Sequence, residues 1–196
     1  MKNDVKWVVV HHIGATASDP YADTSRQTFE DVNAWHRDAK DKDGSPLYHY
    51  GLPSSLGFFC AYHYFIDRKG KVTQARADNE RGYHTIGYND QSLGIALAGN
   101  LDVTVPTWEQ TLSLKNLLLD KMAKYKISPE NIVPHRFASR KSCYGTRLDS
   151  SWARSLVKDT YQTSLLRNLL MHITLLLERR RLGRMENDKG CDAVTN

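Results

Sequence analysis

Cysteine is scarce in this chain: Cys60, Cys143 and Cys191 are the three among 196 residues, and they stand far apart. An odd number at wide spacing excludes a disulfide framework and fits synthesis in a reducing compartment. Long apolar runs are also missing. The amino terminus reads MKNDVKWVVVHH, and its apolar stretch, Trp7 to Val10, is too short for a signal-peptide core or a membrane span. That predicts a soluble chain made in the cytoplasm of the producing cell. There are no internal repeats and no low-complexity blocks. Charge is not strongly of one sign either: the formal net charge is +5. A basic excess this mild could favour nucleic acid, anionic envelope polymers or membrane surfaces, and it distinguishes none of them.

What is present describes an ordinary globular protein, 40% hydrophobic and 25% charged, long enough for one domain and an appendage. Val5 to Ile13 is β-branched and short, a buried strand ending in histidines. Gln27 to Lys40 has helical spacing, with Phe29, Val32, Trp35 or His36, and Ala39 on one face and Thr24 or Ser25 as cap. Phe58 to Ile66 and Lys71 to Ala75 flank DRKG as a hairpin, and Leu93 to Ala98 forms another buried strand. Thr107 and Gln110 form a capping box opening a helix to about Tyr125. Asn131 to Pro134 reads as a last short strand, and Asp149 to Lys158 as a helix. The prediction is an α/β domain over 1–158, a central mixed β-sheet flanked by helices. Of the four tryptophans, Trp35, Trp108 and Trp152 on their helix faces are assigned to the core, and Cys60 to a buried strand.

The basic segment PHRFASRKSCYG, 134–145, gathers His135, Lys141 and Cys143. Imidazole and thiolate are ligands suited to zinc, but two ligands do not make a site. His11, at the carboxyl end of the first strand, offers a third. Two histidines and a cysteine would leave a tetrahedral ion one open position for water, the catalytic arrangement. A closed structural site would need a fourth protein ligand; the sequence leaves His12 and His84 open for that.

Four stretches in order, VVVHHIGAT, AYHYFIDRKGKV, GYHTIGYNDQSLGIALAGN and HRFASRKSC, give the chain its resemblance. It resembles the zinc-dependent N-acetylmuramoyl-L-alanine amidases, and more narrowly the amidase-type phage lysozymes, relatives of the peptidoglycan recognition proteins. The likeness runs over about 5–158. It implies zinc ligands at His11, His135 and Cys143, and of the pair His11–His12 it selects the first. It also implies an active-site tyrosine at Tyr62, an active-site lysine at Lys141 and a substrate-cleft histidine at His84. Strand alternation agrees that only one of two adjacent histidines can face the site, and it places Tyr62 and Tyr64 on one face with His63 on the other. Two departures stand out: Tyr144 and Gly145 follow the cysteine where the phage lysozymes often have proline, and the loop over 41–59 is longer than theirs.

The activity implied is hydrolysis of the bond between the lactyl group of N-acetylmuramic acid and L-alanine, with peptidoglycan as partner and no nucleic acid expected. The enzyme would meet the wall after the inner membrane is breached. Two alternatives are a leaderless wall-recycling amidase, which by resemblance more often carries aspartate at position 143, and a peptidoglycan-binding module without catalysis, in which the cysteine is typically replaced. Lys141 would be an electrophilic assistant rather than a ligand, and Tyr62 a phenol acting on the water or the carbonyl.

Beyond that region, 159–196 changes character. Leu165, Leu166, Leu169, Leu170, Ile173, Leu176 and Leu177 recur at the spacing of one apolar helical face, and Arg179, Arg180, Arg181 and Arg184 follow. This predicts an amphipathic carboxyl-terminal helix that packs on the domain, pairs with another chain or lies on a membrane surface.

Overall fold

The computed structural model describes residues 4–15, 19–47 and 52–191, with side chains to 180. Arg181, Arg184 and Cys191 therefore have side chains outside the described residues, as does the segment 48–51 of the long loop. By internal contacts the chain divides into two units, Met1–Val157 and Lys158–Asn196.

The first unit is built on five strands: β1 (Trp7–His12), β2 (Tyr64–Ile66), β3 (Val72–Gln74), β4 (Ser92–Leu97) and β5 (Ile132–Pro134). Their order across the sheet is β3-β2-β4-β1-β5. Only the β2–β3 hairpin is antiparallel; β2–β4, β4–β1 and β1–β5 are parallel, so the sheet is mixed. Val8, Val9 and Val10 are almost wholly buried, as expected of a central parallel strand covered on both faces. Pro134, which cannot donate to a ladder, closes β5 at the sheet edge, where proline is tolerated.

Helix α1 (Phe29–Asp38) is capped by Thr28, whose side chain accepts from Asp31 N while Asp31 answers to the Thr28 backbone. The expected caps lay earlier; Thr24 instead donates its hydroxyl to the Gly14 carbonyl. Phe29 and Val32 pack with Ile13, Cys60, Phe65 and Ala96. At the ambiguous position the histidine wins: His36 is buried and Trp35 is 56% exposed. The reason is polar, since Ala61 N donates to His36 Nδ1 at 3.4 Å. Cys60 is fully buried as expected, but in the loop before β2.

Helix α2 (Trp108–Tyr125) has the predicted capping box, Thr107 with Gln110. Leu114, Leu118 and Met122 are buried on it, whereas Trp108, at its first position, is 74% exposed rather than in the core. Beneath α2 lies a buried ionic cluster. Asp78 accepts from Tyr64 Oη (2.6 Å), Lys121 Nζ (3.1 Å), Lys124 Nζ (3.0 Å) and Tyr125 Oη (2.9 Å). Burial opposes ionisation of Asp78, but these four donors together hold its pKa down at about 2.

Helix α3 (Trp152–Cys191) is one continuous helix where the sequence suggested two segments. In the second unit, Leu165, Leu166, Leu169, Leu170, Ile173, Leu176 and Leu177 are all exposed. No helix among the described residues is long and apolar enough to cross a membrane.

Candidate metal centre and cleft

Sheet topology explains why residues so distant in sequence meet. Strands β1 and β5 run parallel with Val10 beside Pro134, so the next residue of each, His11 and His135, emerges at the same carboxyl edge. Their rings lie 4.5 Å apart. The loop after β5 then turns back to bring Cys143 Sγ to 3.6 Å from His11 Nδ1. Donor atoms of His11, His135 and Cys143 all lie within 4.8 Å of one another, a group able to hold a metal ion.

The returning loop is tied down along its length. Arg136 donates to the carbonyls of Gly145 and Leu148 and stacks its guanidinium over Tyr144. Tyr144 is fully buried and its hydroxyl donates to the Asp149 carbonyl at 2.9 Å, a fixing that replaces what a proline would give. Gly145, at φ 98°, is required: a Cβ there would collide with the Leu101 carbonyl.

The donor set is electrostatically prepared for a cation. Burial, with like charge from His84, His135 and His12, lowers the pKa of His11 well below the usual imidazole range. Burial and Lys141 bring His135 to about 4. Both rings are thus neutral near pH 7, the form that binds metal. Burial pushes the Cys143 thiol up to about 12, so only a strong local positive charge such as a bound ion would draw off its proton. The residues present therefore fit zinc: two neutral imidazoles and an ionisable thiol at one point.

The candidate fourth ligands are otherwise engaged. His12 Nδ1 accepts from Leu101 N at 2.8 Å. His84 Nδ1 lies 3.1 Å from His11 Nε2, the nitrogen of His11 that faces away from Cys143. Among the described residues no fourth protein donor joins the group.

The site floors a cleft. A cavity of about 500 Å³ is bordered by His11, Tyr62, His135, Lys141 and Cys143 together with Trp35, and a second of about 570 Å³ adjoins it. Both share Tyr83, His84, His135 and Lys141, and Leu47 of the long loop edges the second. Lys141 is exposed on this wall. The Tyr62 ring lies 5.0 Å from that of His11 and 5.5 Å from that of His36. Tyr62 precedes β2, so strand alternation does not govern it: Tyr64 reaches Asp78 and α2 while Tyr62 turns to the cleft. His84 is buried at the back of the site, with its neighbours Thr85 and Ser92 around its ring. Sequence reasoning gave those two no role, although the stretch GYHTIGYNDQS contains both.

A family model for N-acetylmuramoyl-L-alanine amidase matches residues 1–146. The chain belongs to that amidase family. Among similar proteins, the endolysin of Enterobacteria phage T3 is 32% identical over 99 residues, 48% of this chain and 64% of that protein. Peptidoglycan recognition protein 3 of Mus musculus is 28% identical over 126 residues, 63% of this chain and 31% of the mouse protein. This amidase-family chain thus spans less than two thirds of either relative. Of solved structures, the N-acetylmuramoyl-L-alanine amidase LysC of Clostridium intestinale superposes with a TM-score of 0.60 at 21% identity, over 80% of this chain and 87% of that one. The bumblebee recognition protein PGRP-SA gives 0.54 at 20% identity, over 80% and 83%. At such identities these two show a shared fold.

Proposed function

We propose that the chain is a peptidoglycan amidase that hydrolyses the bond between the lactyl group of N-acetylmuramic acid and L-alanine, with zinc held by His11, His135 and Cys143. The observation that carries this is the convergence of those three donors at the floor of an open cleft, with no fourth among the described residues. A closed structural site would have one. Cys143, the ligand typically replaced in binding modules, is in place, which favours catalysis over simple recognition.

A zinc ion bound there would supply a Lewis acid that lowers the pKa of a water to about 7 and polarises the scissile carbonyl. The chain's own residues supply the rest. Tyr62, beside His11, offers its phenol as a hydrogen-bond donor to the carbonyl oxygen or a partner for the attacking water. Lys141, on the cleft wall, brings an ammonium to the oxygen on which negative charge develops. His135 and His11 stay neutral and hold position. Two adjoining cavities suit a substrate that runs past the site, glycan to one side and peptide to the other.

The endolysin relatives support a lysis enzyme of phage type, made in the cytoplasm and reaching the wall once the inner membrane is breached. The test is metal analysis combined with mass spectrometry of digested sacculi. One zinc per chain and new L-alanine amino termini are expected. Full lytic activity in rigorously metal-free protein, or cleavage at another bond, would overturn the proposal. A preference for soluble anhydro-muropeptides over intact sacculi would instead mark a recycling enzyme.

A further inference from the structure

Behind the metal centre lies a chain of polar side chains whose direction can be worked out atom by atom. Ser92 Oγ donates to the Tyr88 carbonyl at 2.7 Å. A carbonyl only accepts, so the single proton of that hydroxyl is committed, and toward His84 Nε2, 3.5 Å away, Ser92 presents a lone pair. His84 therefore carries its proton on Nε2, and its Nδ1 is bare.

That bare nitrogen is 2.9 Å from Thr85 Oγ1 and 3.1 Å from His11 Nε2, and Thr85 Oγ1 is itself 3.3 Å from His11 Nε2. The three atoms form a closed triangle away from solvent. If His11 Nε2 were also bare, two buried lone pairs would face each other with one threonine proton between them. With the proton on His11 Nε2, every atom is satisfied: His11 donates to His84 Nδ1 or Thr85 Oγ1, and Thr85 donates to His84 Nδ1. The other nitrogen of His11, Nδ1, is then bare and faces Cys143 Sγ.

The geometry points to His84, Thr85 and Ser92 as positioning residues that lock His11 in the Nε2–H tautomer and so pre-set Nδ1 as the metal-binding atom. This assigns His84 a task at the ligand, in addition to the cleft wall it lines, and it rests on the zinc reading above.

The seat of the ring is built for this. A Cβ on either Gly82 or Gly94 would come within 2.5 Å of His84 Cδ2, so both positions must be glycine for the ring to lie flat between them. Asn89 Oδ1 accepts from His84 N and Thr85 N, each at 2.8 Å, and fixes the turn that carries both side chains. Outer partners of this kind fix ring orientation and raise the basicity of a ligating histidine, and their loss typically weakens metal binding 10- to 100-fold.

The first measurement needs no variant: long-range proton–nitrogen NMR of the metal-free wild type near pH 7.5. It should show both His11 and His84 as Nε2–H tautomers; His11 protonated on Nδ1 would overturn the inference. The second is zinc affinity by chelator competition. His84→Phe, which keeps a ring between the two glycines but has no acceptor, should bind zinc about 10- to 100-fold more weakly. Thr85→Val, a change of one hydroxyl that leaves the ring seated, should lose about 3-fold and stands in should His84→Phe fail to fold. Wild-type affinity in a folded variant, with the wild-type tautomer at His11, would overturn the inference while leaving the zinc reading intact. Absence of zinc binding by the wild type would sink the zinc reading, and with it the role assigned to these residues, while the tautomers remained measurable.

Discussion

Two polar clusters are buried in the first unit, one beneath α2 around Asp78 and one where β1 and β5 end. Around Asp78, one carboxylate is met by two ammonium groups and two phenols, and each oxygen has a donor within 3.1 Å. The charge is kept and fully answered. Around His11 the reverse holds: burial suppresses charge on both imidazoles and on the thiol, and donor atoms of all three lie within 4.8 Å of one another. A charged cluster answered on every side fastens elements together, whereas a neutral one of metal-ligating type can take in a cation. The same chemistry of burial yields a structural joint in one place and a candidate metal site in the other.

That contrast can be broken most severely at the site itself. His135→Ala and Cys143→Ala should each lose both zinc, by metal analysis, and amide cleavage, to background, while the fold survives, because neither side chain belongs to the ionic cluster beneath α2. Asp78→Ala should do the opposite. It leaves the buried Lys121 with only the solvent-exposed Asp120 as counter-charge, and should lower unfolding free energy by about 3 kcal/mol, read by denaturant titration, while zinc binding persists in the folded fraction. The sign with pH follows: the Asp78 pKa is held at about 2 against an ordinary 3.8, so its contribution is complete above the ordinary value and is lost as pH falls through the lower one. Acid unfolding of wild type should therefore show a step in that window that Asp78→Ala lacks.

Between these extremes lie the two groups proposed to act on substrate and not on metal. Tyr62→Phe and Lys141→Ala should keep zinc and lower the hydrolysis rate by about 10²-fold, close to 2.7 kcal/mol of barrier. Zinc loss in either variant would show a ligand mistaken for a reacting group. The smallest effect is expected from truncation after Lys158. It should leave zinc content and cleavage unchanged and alter solubility or association, measured by light scattering, because the exposed leucine arc is removed. A truncated protein that folds yet cannot cleave purified peptidoglycan would place the second unit in the catalytic apparatus.

Legibility in the sequence followed the range of the interactions. The Thr107–Gln110 box is a local signal, and the helix begins where it says. Thr28 with Asp31 is a local signal too, but nearby Thr24 and Ser25 compete for it, and the choice is settled by the long-range bond from Thr24 to Gly14. Trp35 and His36 are neighbours on one helical face, and periodicity alone does not decide between them; a backbone amide 25 residues away does. Motif order gave the three donors at the site because their residue types are rare and chemically marked. The partners of His84 were missed because serine and threonine carry no such mark, and their role depends on which way each hydroxyl proton points.

The parallel pairing of β1 and β5 also bears on how the molecule comes into being. His11 and Cys143 are 132 residues apart, and the edge strand that brings them together is the last of the five in the chain. Contacts of such separation carry a large loop-closure entropy, which must be met before they return any stabilisation. A nascent chain with the first four strands assembled holds one of the three donors. The three-donor set is therefore completed in one step, with the docking of β5 at the sheet edge, and a chain that stops before β5 carries no partial version of it.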